Sequence, residues 1–316
     1  MKLIRVTFFL VFFFILGYEA ASQQTPLNPI SGRVFSPSIF NPAIAGSKDF
    51  MAIDLMATIQ GEGLSQLLSG NARIVKKGPQ YLGAPVVKRY TNYGIGASIF
   101  NDAYGTSRNL GASVAASYHM PLDEKNLSFL SVGIGLKGIY NMSDSVPEFN
   151  APRKNSFIPG IDAGVYFYGR HLYAGISATN ILGNMIDSAD MAIYNIPVSR
   201  QYFFIAGYKL VLSKPMNIVI EPSLIVNLND SLDFNKKETY NPMLKLYMEA
   251  FCIGAYLHDY NNLTFFFQYK FPQLYIGTMV DFPREVPFYK RNLTIEIAVG
   301  INLGSTGTSS RNRYQW

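Results

Sequence analysis

The sequence predicts an all-β fold, a transmembrane antiparallel β-barrel of about 14 strands with an N-terminal plug segment. Three observations favour this fold: charged residues are only 15% of the chain, aromatic residues are 14%, and apolar side chains alternate with polar or small ones over many segments. Soluble domains carry about 25% charged residues. Strands that cross a membrane, by contrast, turn every second residue toward lipid. A protein that meets lipid through strands accounts for all three observations.

The first residues of the chain have the order of a secretory signal peptide. Lys2 and Arg5 precede an apolar run, and the small residues Ala20 to Ser22 follow it. The run is too short to span a membrane as a helix. We therefore predict that residues 1–22 are a signal peptide and that the protein is exported.

Composition excludes several other classes of protein. Cys252 is the one cysteine, so the sequence permits no internal disulfide and no cysteine metal cluster. The formal net charge of +6 is mild, and no run rich in Lys or Arg occurs, so we expect no nucleic-acid partner. The Gly-Ile-Gly stretch at Gly94 is not followed by a helical pattern, so it does not predict a phosphate-binding loop. We expect no cofactor and no metal.

Alternation with a period of two defines the strands. In the last predicted strand the apolar row is Leu293, Ile295, Ile297, Val299, Ile301 and Leu303, and the residues between them are polar or small. The same criterion predicts strands at residues 48–60, 80–90, 92–100, 108–120, 127–140, 159–168, 171–179, 200–212, 216–228, 242–248, 251–259, 262–271, 273–282 and 291–303. The inward rows are mostly Gly, Ser, Asn, Thr and charged residues.

The connections between these segments differ in length at the two ends of the predicted barrel. Most of those after odd-numbered strands are long, at residues 61–79, 101–107, 141–158, 180–199, 229–241 and 283–290. Those after even-numbered strands are short, the first of them being Thr91 alone. Outer-membrane barrels have short periplasmic turns and long outer loops. We therefore predict a barrel at residues 48–303 in the bacterial outer membrane, in contact with its lipid.

The segment before the first strand has no strand period. Residues 23–47 are rich in Pro, Ser and small residues, and they include the stretch "FNPAIAGS". A barrel of this size has a bore wider than its own side chains can fill. We predict that residues 23–47 form a plug in the bore, with a mobile periplasmic leader as the alternative. A polar tail, residues 304–316, follows the last strand.

Six charged residues fall on the inward rows of the predicted strands. They are Asp54, Lys137, Lys209, Glu221, Lys245 and Glu296. They could line a pore or hold the plug. The alternative, which we favour, is that they are ordinary charges of the bore that are hydrated or paired with one another.

No catalytic arrangement is evident in the sequence. His119, His171 and His258 lie in different predicted hairpins, and no serine is placed as an activated nucleophile beside any of them. We therefore predict that the protein is not an enzyme. Glycines recur within the strands, and we interpret them as relieving crowding at bends or beneath a plug. These glycines are Gly94, Gly96, Gly133, Gly135, Gly175 and Gly254.

Five stretches, in chain order, carry a family resemblance. They are "NPAIAGS", "YLGAPVVKRYTNYGIGASIFNDAYG", "GVYFYGRHLYAGISATNILG", "AGYKLVL…IVIEPSLIVNL" and "EAFCIGAYLHDY". Together they resemble the PorP/SprF family of type IX secretion and gliding-motility membrane proteins. The first stretch matches the family's N-terminal motif at Asn41, Pro42, Ala43 and Gly46. Ile44 replaces the usual aromatic residue, and Leu257-His258 stands where the family has an arginine position.

The resemblance implies an accessory outer-membrane barrel that supports the export or surface attachment of a large secreted protein. It also implies two kinds of partner: a secreted adhesin or other type IX cargo, and periplasmic secretion components linked to peptidoglycan. Two alternatives remain open. One is a transporter of hydrophobic small molecules like the long-chain fatty-acid channels, and the other is a porin for small solutes. The mostly polar inward rows argue against the first of these.

Overall fold

The computed structural model describes residues 30–48, 50–60, 63–77, 88–104, 107–123, 128–144, 153–183, 200–213, 215–229, 232–258, 260, 262–271, 273–283 and 293–303. Within these residues, fifteen strand segments form a single antiparallel sheet that closes on itself. The predicted signal peptide and the polar tail lie outside the described residues, as do residues 23–29 of the predicted plug.

The strand segments follow one another around the barrel in chain order. They are β1 Met51–Gln60, β2 Gly63–Lys77, β3 Lys88–Tyr104, β4 Ser107–Asp123, β5 Ser128–Ser143, β6 Lys154–Tyr168, β7 Leu172–Thr179, β8 Gln201–Tyr208, β9 Leu210–Ser213, β10 Ile218–Asn229, β11 Tyr240–Met248, β12 Phe251–His258, β13 Asn262–Lys270, β14 Leu274–Pro283 and β15 Thr294–Leu303.

The barrel has 14 strands, as predicted. β8 and β9 are separated only by Lys209, and both pair with β10, so they are two halves of one strand. β1 pairs with β15 along its whole length, from Met51 opposite Leu303 to Gln60 opposite Thr294, and this pairing closes the cylinder. Closure leaves no unpaired strand edge, which is the condition for a sheet to span a membrane.

The predicted second strand, residues 80–90, was wrong. The second strand is Gly63–Lys77, in the region predicted as a long loop. Residues 80–87 lie outside the described residues, and residues 88–90 belong to β3. The alternation in β2 is disguised because Leu67 faces the apolar core, whereas Gln66 accepts a hydrogen bond from the Asn101 side chain. A polar residue on the outward row and an apolar one on the inward row hide the period of two.

Two predicted connections, Thr91 and residues 101–107, were also wrong. β3 continues through Thr91 and ends at Tyr104, so the predicted loop 101–107 reduces to residues 105–106. The lengths still differ between the two ends of the barrel. The long connections at one end are residues 144–153, 180–200, 230–239 and 284–293, while at the other end only residues 78–87 are long.

The two faces of the sheet differ in the way that the alternation predicts. In β15, Ile295 and Ile297 are exposed on the outer face, and Thr294 and Glu296 are buried on the inner face. Large exposed apolar residues follow the outward rows of the other strands; examples are Ile95, Ile99, Val114, Ile134, Leu136 and Ile176. This outer surface suits lipid, and the polar inner surface suits a bore.

Short helices precede the barrel. A six-residue α-helix, α1, spans Ile30–Phe35, and 3₁₀ helices span Pro37–Ile39 and Pro42–Ile44. A proline begins each 3₁₀ helix, where its missing N–H leaves no hydrogen bond unmade. A further 3₁₀ turn, Lys237–Thr239, leads into β11. None of the described helices is long and apolar enough to cross a membrane.

Candidate functional site

The described N-terminal segment, residues 30–48, contacts inward-facing side chains of the barrel wall. On one side, Arg33 Nη1 donates a hydrogen bond to the Tyr256 hydroxyl at 3.1 Å and lies 3.4 Å from His258 Nδ1, both in β12. Ser36 Oγ lies 2.8 Å from Ser69 Oγ of β2. The first half of the segment is therefore attached to the wall near β12 and β2.

Phe35, at the end of α1, packs into an apolar part of the inner wall. Its ring centroid lies 5.6 Å from that of Tyr275 and 6.5 Å from that of Phe266. The surrounding cluster of buried residues is Met56, Leu67, Val219, Ile225, Met243, Tyr247, Cys252, Tyr256, Phe266, Tyr275, Met279 and Ala298. The prediction of mostly polar inward rows was thus wrong for this side of the barrel. The period of two identifies which residues face inward, but it does not predict that the Phe35 ring packs against them.

Asn41, the first residue of the family motif, has two roles. Its Oδ1 accepts a hydrogen bond from the Ala43 amide at 3.0 Å and so caps the 3₁₀ helix Pro42–Ile44. Its Nδ2 donates to the carbonyl oxygens of Val165 in β6 at 3.3 Å and Ile176 in β7 at 3.4 Å. One side chain therefore shapes the segment and attaches it to the wall.

Serine hydroxyls of the wall bind main-chain carbonyl groups of the segment. Ser177 of β7 donates to the Phe40 carbonyl oxygen at 2.7 Å. Ser131 of β5 donates to the Ala43 carbonyl oxygen at 2.6 Å. These two bonds involve the backbone carbonyl groups, and not the side chains, of Phe40 and Ala43.

Two donors converge on the Ala45 carbonyl oxygen. Ser117 Oγ donates to it at 2.6 Å, and His119 Nε2 lies 2.9 Å from it. A carbonyl oxygen can only accept, so we assign the imidazole proton to Nε2. His119 Nδ1 then accepts from the Tyr168 hydroxyl at 3.0 Å, and that hydroxyl accepts from Arg73 Nη2 at 2.9 Å.

Ser117 lies beside His119, an adjacency that the sequence analysis did not single out. Ser117 Oγ is 3.0 Å from His119 Nε2. A serine nucleophile needs an unprotonated nitrogen to take its proton, and this nitrogen already donates to Ala45. Both side chains are buried beneath the segment. The pair therefore binds a backbone carbonyl and does not form a catalytic dyad.

Strand glycines make room for the segment. A methyl group on Gly133 would collide with the backbone of Pro42 and Ala43, and one on Gly164 would collide with the Asn41 amide. A methyl group would also lie within 4 Å of the segment at five other strand glycines, Gly94, Gly96, Gly135, Gly175 and Gly277. Gly254 differs, because the ring of Phe266 covers it.

Gly46 ends the motif with a positive φ of 72°, which favours glycine. A Cβ at this position would also lie 2.7 Å from the Cα of Gly94 and 2.9 Å from the Ala72 carbonyl oxygen. Both the backbone angle and the nearby wall atoms therefore favour glycine at the final motif position. We call residues 40–46 the motif segment.

Three of the six predicted bore charges come together. The Glu221 carboxylate lies 3.4 Å from Lys245 Nζ and 4.0 Å from Lys209 Nζ, and it accepts a hydrogen bond from the Tyr173 hydroxyl at 2.8 Å. Lys209 occupies the break between β8 and β9, where its N–H bonds the His171 carbonyl oxygen at 2.8 Å. Within this group, the carboxylate lies between the two lysine side chains.

The other three charges lie apart from that group. Lys137 Nζ is 2.9 Å from the Asp162 carboxylate, and Asp54 accepts a hydrogen bond from the Tyr275 hydroxyl at 2.7 Å. Glu296 is buried on the inner face of β15. The six residues are therefore several local groups and not one continuous row.

Lys48, at the end of the N-terminal segment, interacts electrostatically with a charged residue of the bore. Lys48, just before β1, has a pKa lowered by burial, and the Asp54 carboxylate opposes this shift. In the part of the chain that the structure describes, no three His, Cys, Asp or Glu side chains are grouped to hold a metal ion.

The family model that describes the type IX secretion system membrane protein PorP/SprF matches residues 31–301. The match includes the motif segment and nearly the whole barrel. This chain belongs to the PorP/SprF family. Together, the family and the closed barrel identify an outer-membrane β-barrel of the type IX secretion system. No curated protein is significantly similar to this PorP/SprF chain.

Several solved outer-membrane proteins share a broad structural likeness with this PorP/SprF barrel. The KdgM porin is 12% identical with a TM-score of 0.37, covering 79% of this chain and 98% of the porin. CdiB from Acinetobacter baumannii is 8% identical with a TM-score of 0.42, covering 81% of this chain and 60% of CdiB. Outer membrane phospholipase A from Escherichia coli is 12% identical with a TM-score of 0.37, covering 81% of this chain and 93% of the phospholipase. Scores this low carry no information on function.

Proposed function

We propose that this PorP/SprF barrel is a closed accessory component of the type IX machinery, one that supports export or surface attachment of a large secreted protein. The observation that supports it most directly is the attachment of the N-terminal segment to separate parts of the wall. Arg33 bonds β12, and Asn41 bonds β6 and β7. A chain held in this way acts as a plug, so the barrel serves as a partner and not as an open channel.

The plug is held by interactions that a freely diffusing solute would not displace. Asn41, Ala43 and Ala45 are almost completely buried, and Phe35 fills an apolar cluster. Burying a large apolar side chain contributes about 1.5–3 kcal/mol. Four wall donors also bind carbonyl oxygens of the motif segment. In this proposal the protein acts through surfaces outside the bore.

The proposed partners contact the two ends of the barrel. Long connections at residues 144–153, 180–200, 230–239 and 284–293 share one end, which is the outer end by the usual asymmetry of such barrels. We propose that this end contacts the secreted adhesin or other type IX cargo. Periplasmic components linked to peptidoglycan would contact the opposite end.

Gene deletion followed by a surface proteome tests the role in secretion. We expect the deletion to remove at least one large exported protein from the surface and the wild-type gene to restore it. An unchanged surface proteome together with lost uptake of a hydrophobic nutrient would overturn the proposal. That result would favour the fatty-acid-channel alternative, for which the apolar cluster around Phe35 is the supporting observation.

Conductance separates a plugged barrel from a small-solute porin. The purified full-length protein in a planar bilayer should show no steady ion current. A variant with Arg33→Met and Asn41→Ala loses bonds to both parts of the wall and should open intermittently. Gly70→Ala is the matched control, because its added methyl lies 3.7 Å from the nearest atom, the Ala52 carbonyl oxygen. A steady current from the wild-type protein would mean that the segment does not close the bore.

A further inference from the structure

Asp54 and Asp102 are both buried and both have an oxygen without a hydrogen-bond partner, but Asp54 accepts from the Tyr275 hydroxyl through its other oxygen, whereas the described residues show no hydrogen bond to the Asp102 side chain. Asp102 is only 6% exposed, and the oxygen without a partner is its Oδ1 atom. By comparison, Glu221 and Asp162 have lysine partners, and Asp281 accepts from the Thr264 hydroxyl at 2.7 Å. Burying a charged carboxylate with an unpartnered oxygen is costly, so such a group either takes up a proton or binds a cation.

Residues with side-chain oxygen atoms lie opposite Asp102 on both neighbouring strands. Asp102 lies directly opposite Ser65 of β2 and Asn109 of β4, and Asn109 lies opposite Asn141 of β5. Side chains at directly opposed positions have Cβ atoms about 4.5–5.5 Å apart. Ser65, Asn109 and Asn141 are each less than 4% exposed. Hydroxyl, amide and carboxylate oxygens thus share one buried row on the inner face.

The amide groups in this row are already oriented. Asn141 Nδ2 donates to Asn109 Oδ1 at 2.7 Å, and Ser143 Oγ donates to Asn141 Oδ1 at 2.8 Å. The neighbouring cation, Arg108, does not serve Asp102, because its Nε donates to Asn101 Oδ1 at 2.9 Å. The row therefore supplies negative charge and oriented oxygens but no positive charge.

We propose that Asp102, with Ser65 and Asn109 beside it, binds a hard divalent cation of the calcium class. Carboxylate, amide carbonyl and hydroxyl oxygens are the ligands that calcium takes in proteins. A site with one carboxylate would bind weakly, in the range of extracellular calcium modules. Asp102 lies in the "FND" stretch of the family resemblance, and the proposed plug gives no reason for a carboxylate at this position. The proposal rests on β2–β5 alone and is independent of the proposed role in secretion.

Thermal unfolding of the full-length protein in detergent tests this site. Calcium chloride at about 1 mM should raise the wild-type Tm by about 2–4 °C relative to EDTA. Asp102→Asn should abolish this shift and, in EDTA, should be at least as stable as the wild type, because the unpaired charge is gone. Asp144→Asn changes an exposed carboxylate and should keep the full calcium shift.

Equilibrium dialysis with radioactive calcium provides the second measurement. We expect about one calcium per chain in the wild type and about a tenfold weaker affinity in Asn109→Ala, which leaves the carboxylate in place. A wild type with no calcium-dependent shift and no bound calcium overturns the proposal. So does a calcium shift that survives in Asp102→Asn, since the ion would then bind elsewhere. Should Asp102→Asn fail to fold, the affinity of Asn109→Ala decides.

Discussion

The Nε2 atom of His119 lies 2.9 Å from the carbonyl oxygen of Ala45, 74 positions earlier in the chain. This contact joins the inner face of β4 to the motif segment and uses a side chain that is 0% exposed. The imidazole is itself held by Tyr168 and, through it, by Arg73. A histidine that would attract attention as a catalytic residue is thus an anchor for the N-terminal segment.

Replacing His119 should loosen the motif segment. His119→Phe keeps the ring but removes the donor to Ala45, and we expect it to lower the free energy of unfolding by about 1–3 kcal/mol. His119→Gln restores a donor at similar reach and should recover part of the loss. Urea titration of the reconstituted protein measures both. Equal stability of the two variants would contradict an anchoring role for this hydrogen bond.

Gly133 should not tolerate a side chain. Gly133→Ala forces its methyl into the backbone of Pro42 and Ala43, and overpacking of this kind costs about 1–3 kcal/mol. Hydrogen exchange of the amides at residues 43–46 should rise in the same variant. Gly70→Ala is the matched control in a neighbouring part of the wall and should change neither quantity. If the two alanine variants behave alike, the motif segment does not lie on Gly133.

The two roles of Asn41 can be separated. Asn41→Ser keeps a side-chain cap for the 3₁₀ helix but is too short to reach the carbonyl oxygens of Val165 and Ile176. Asn41→Ala removes both roles, and loss of a cap costs about 1 kcal/mol. We therefore expect the stability order wild type, serine, alanine in urea titration. A serine variant as stable as the wild type would show that the contacts to β6 and β7 contribute nothing.

Glu221 should stabilise the barrel chiefly by neutralising two lysines. Glu221→Gln leaves Lys209 and Lys245 close together without a counter-charge, and removing one partner of a buried ion group costs about 3–5 kcal/mol. Adding Lys245→Met to that variant removes one of the repelling charges and should recover much of the loss. Thermal unfolding of the single and double variants measures the coupling. Additive effects would show that these charges are independently hydrated.

Local pattern was enough for much of the fold because lipid acts on every second residue wherever a strand crosses it. The outward rows of β4, β5 and β15 could therefore be read directly, and so could the count of 14 strands. The pattern failed in β2, where Leu67 faces inward and Gln66 bonds Asn101. There a hydrogen bond to the neighbouring strand, and not contact with lipid, accounts for the residue on the outward row.

By itself the sequence determined that the chain forms a membrane barrel of the PorP/SprF family, since composition, alternation and ordered motifs are local properties. Only the tertiary structure decided that Asn41 meets β6 and β7, that Glu221 lies between Lys209 and Lys245, and that Asp102 Oδ1 is buried without a hydrogen-bond partner among the described residues. The physical reason is register. Strand pairing around a closed cylinder sets which inward residues face one another across the bore. That alignment cannot be predicted from the residues of one strand alone.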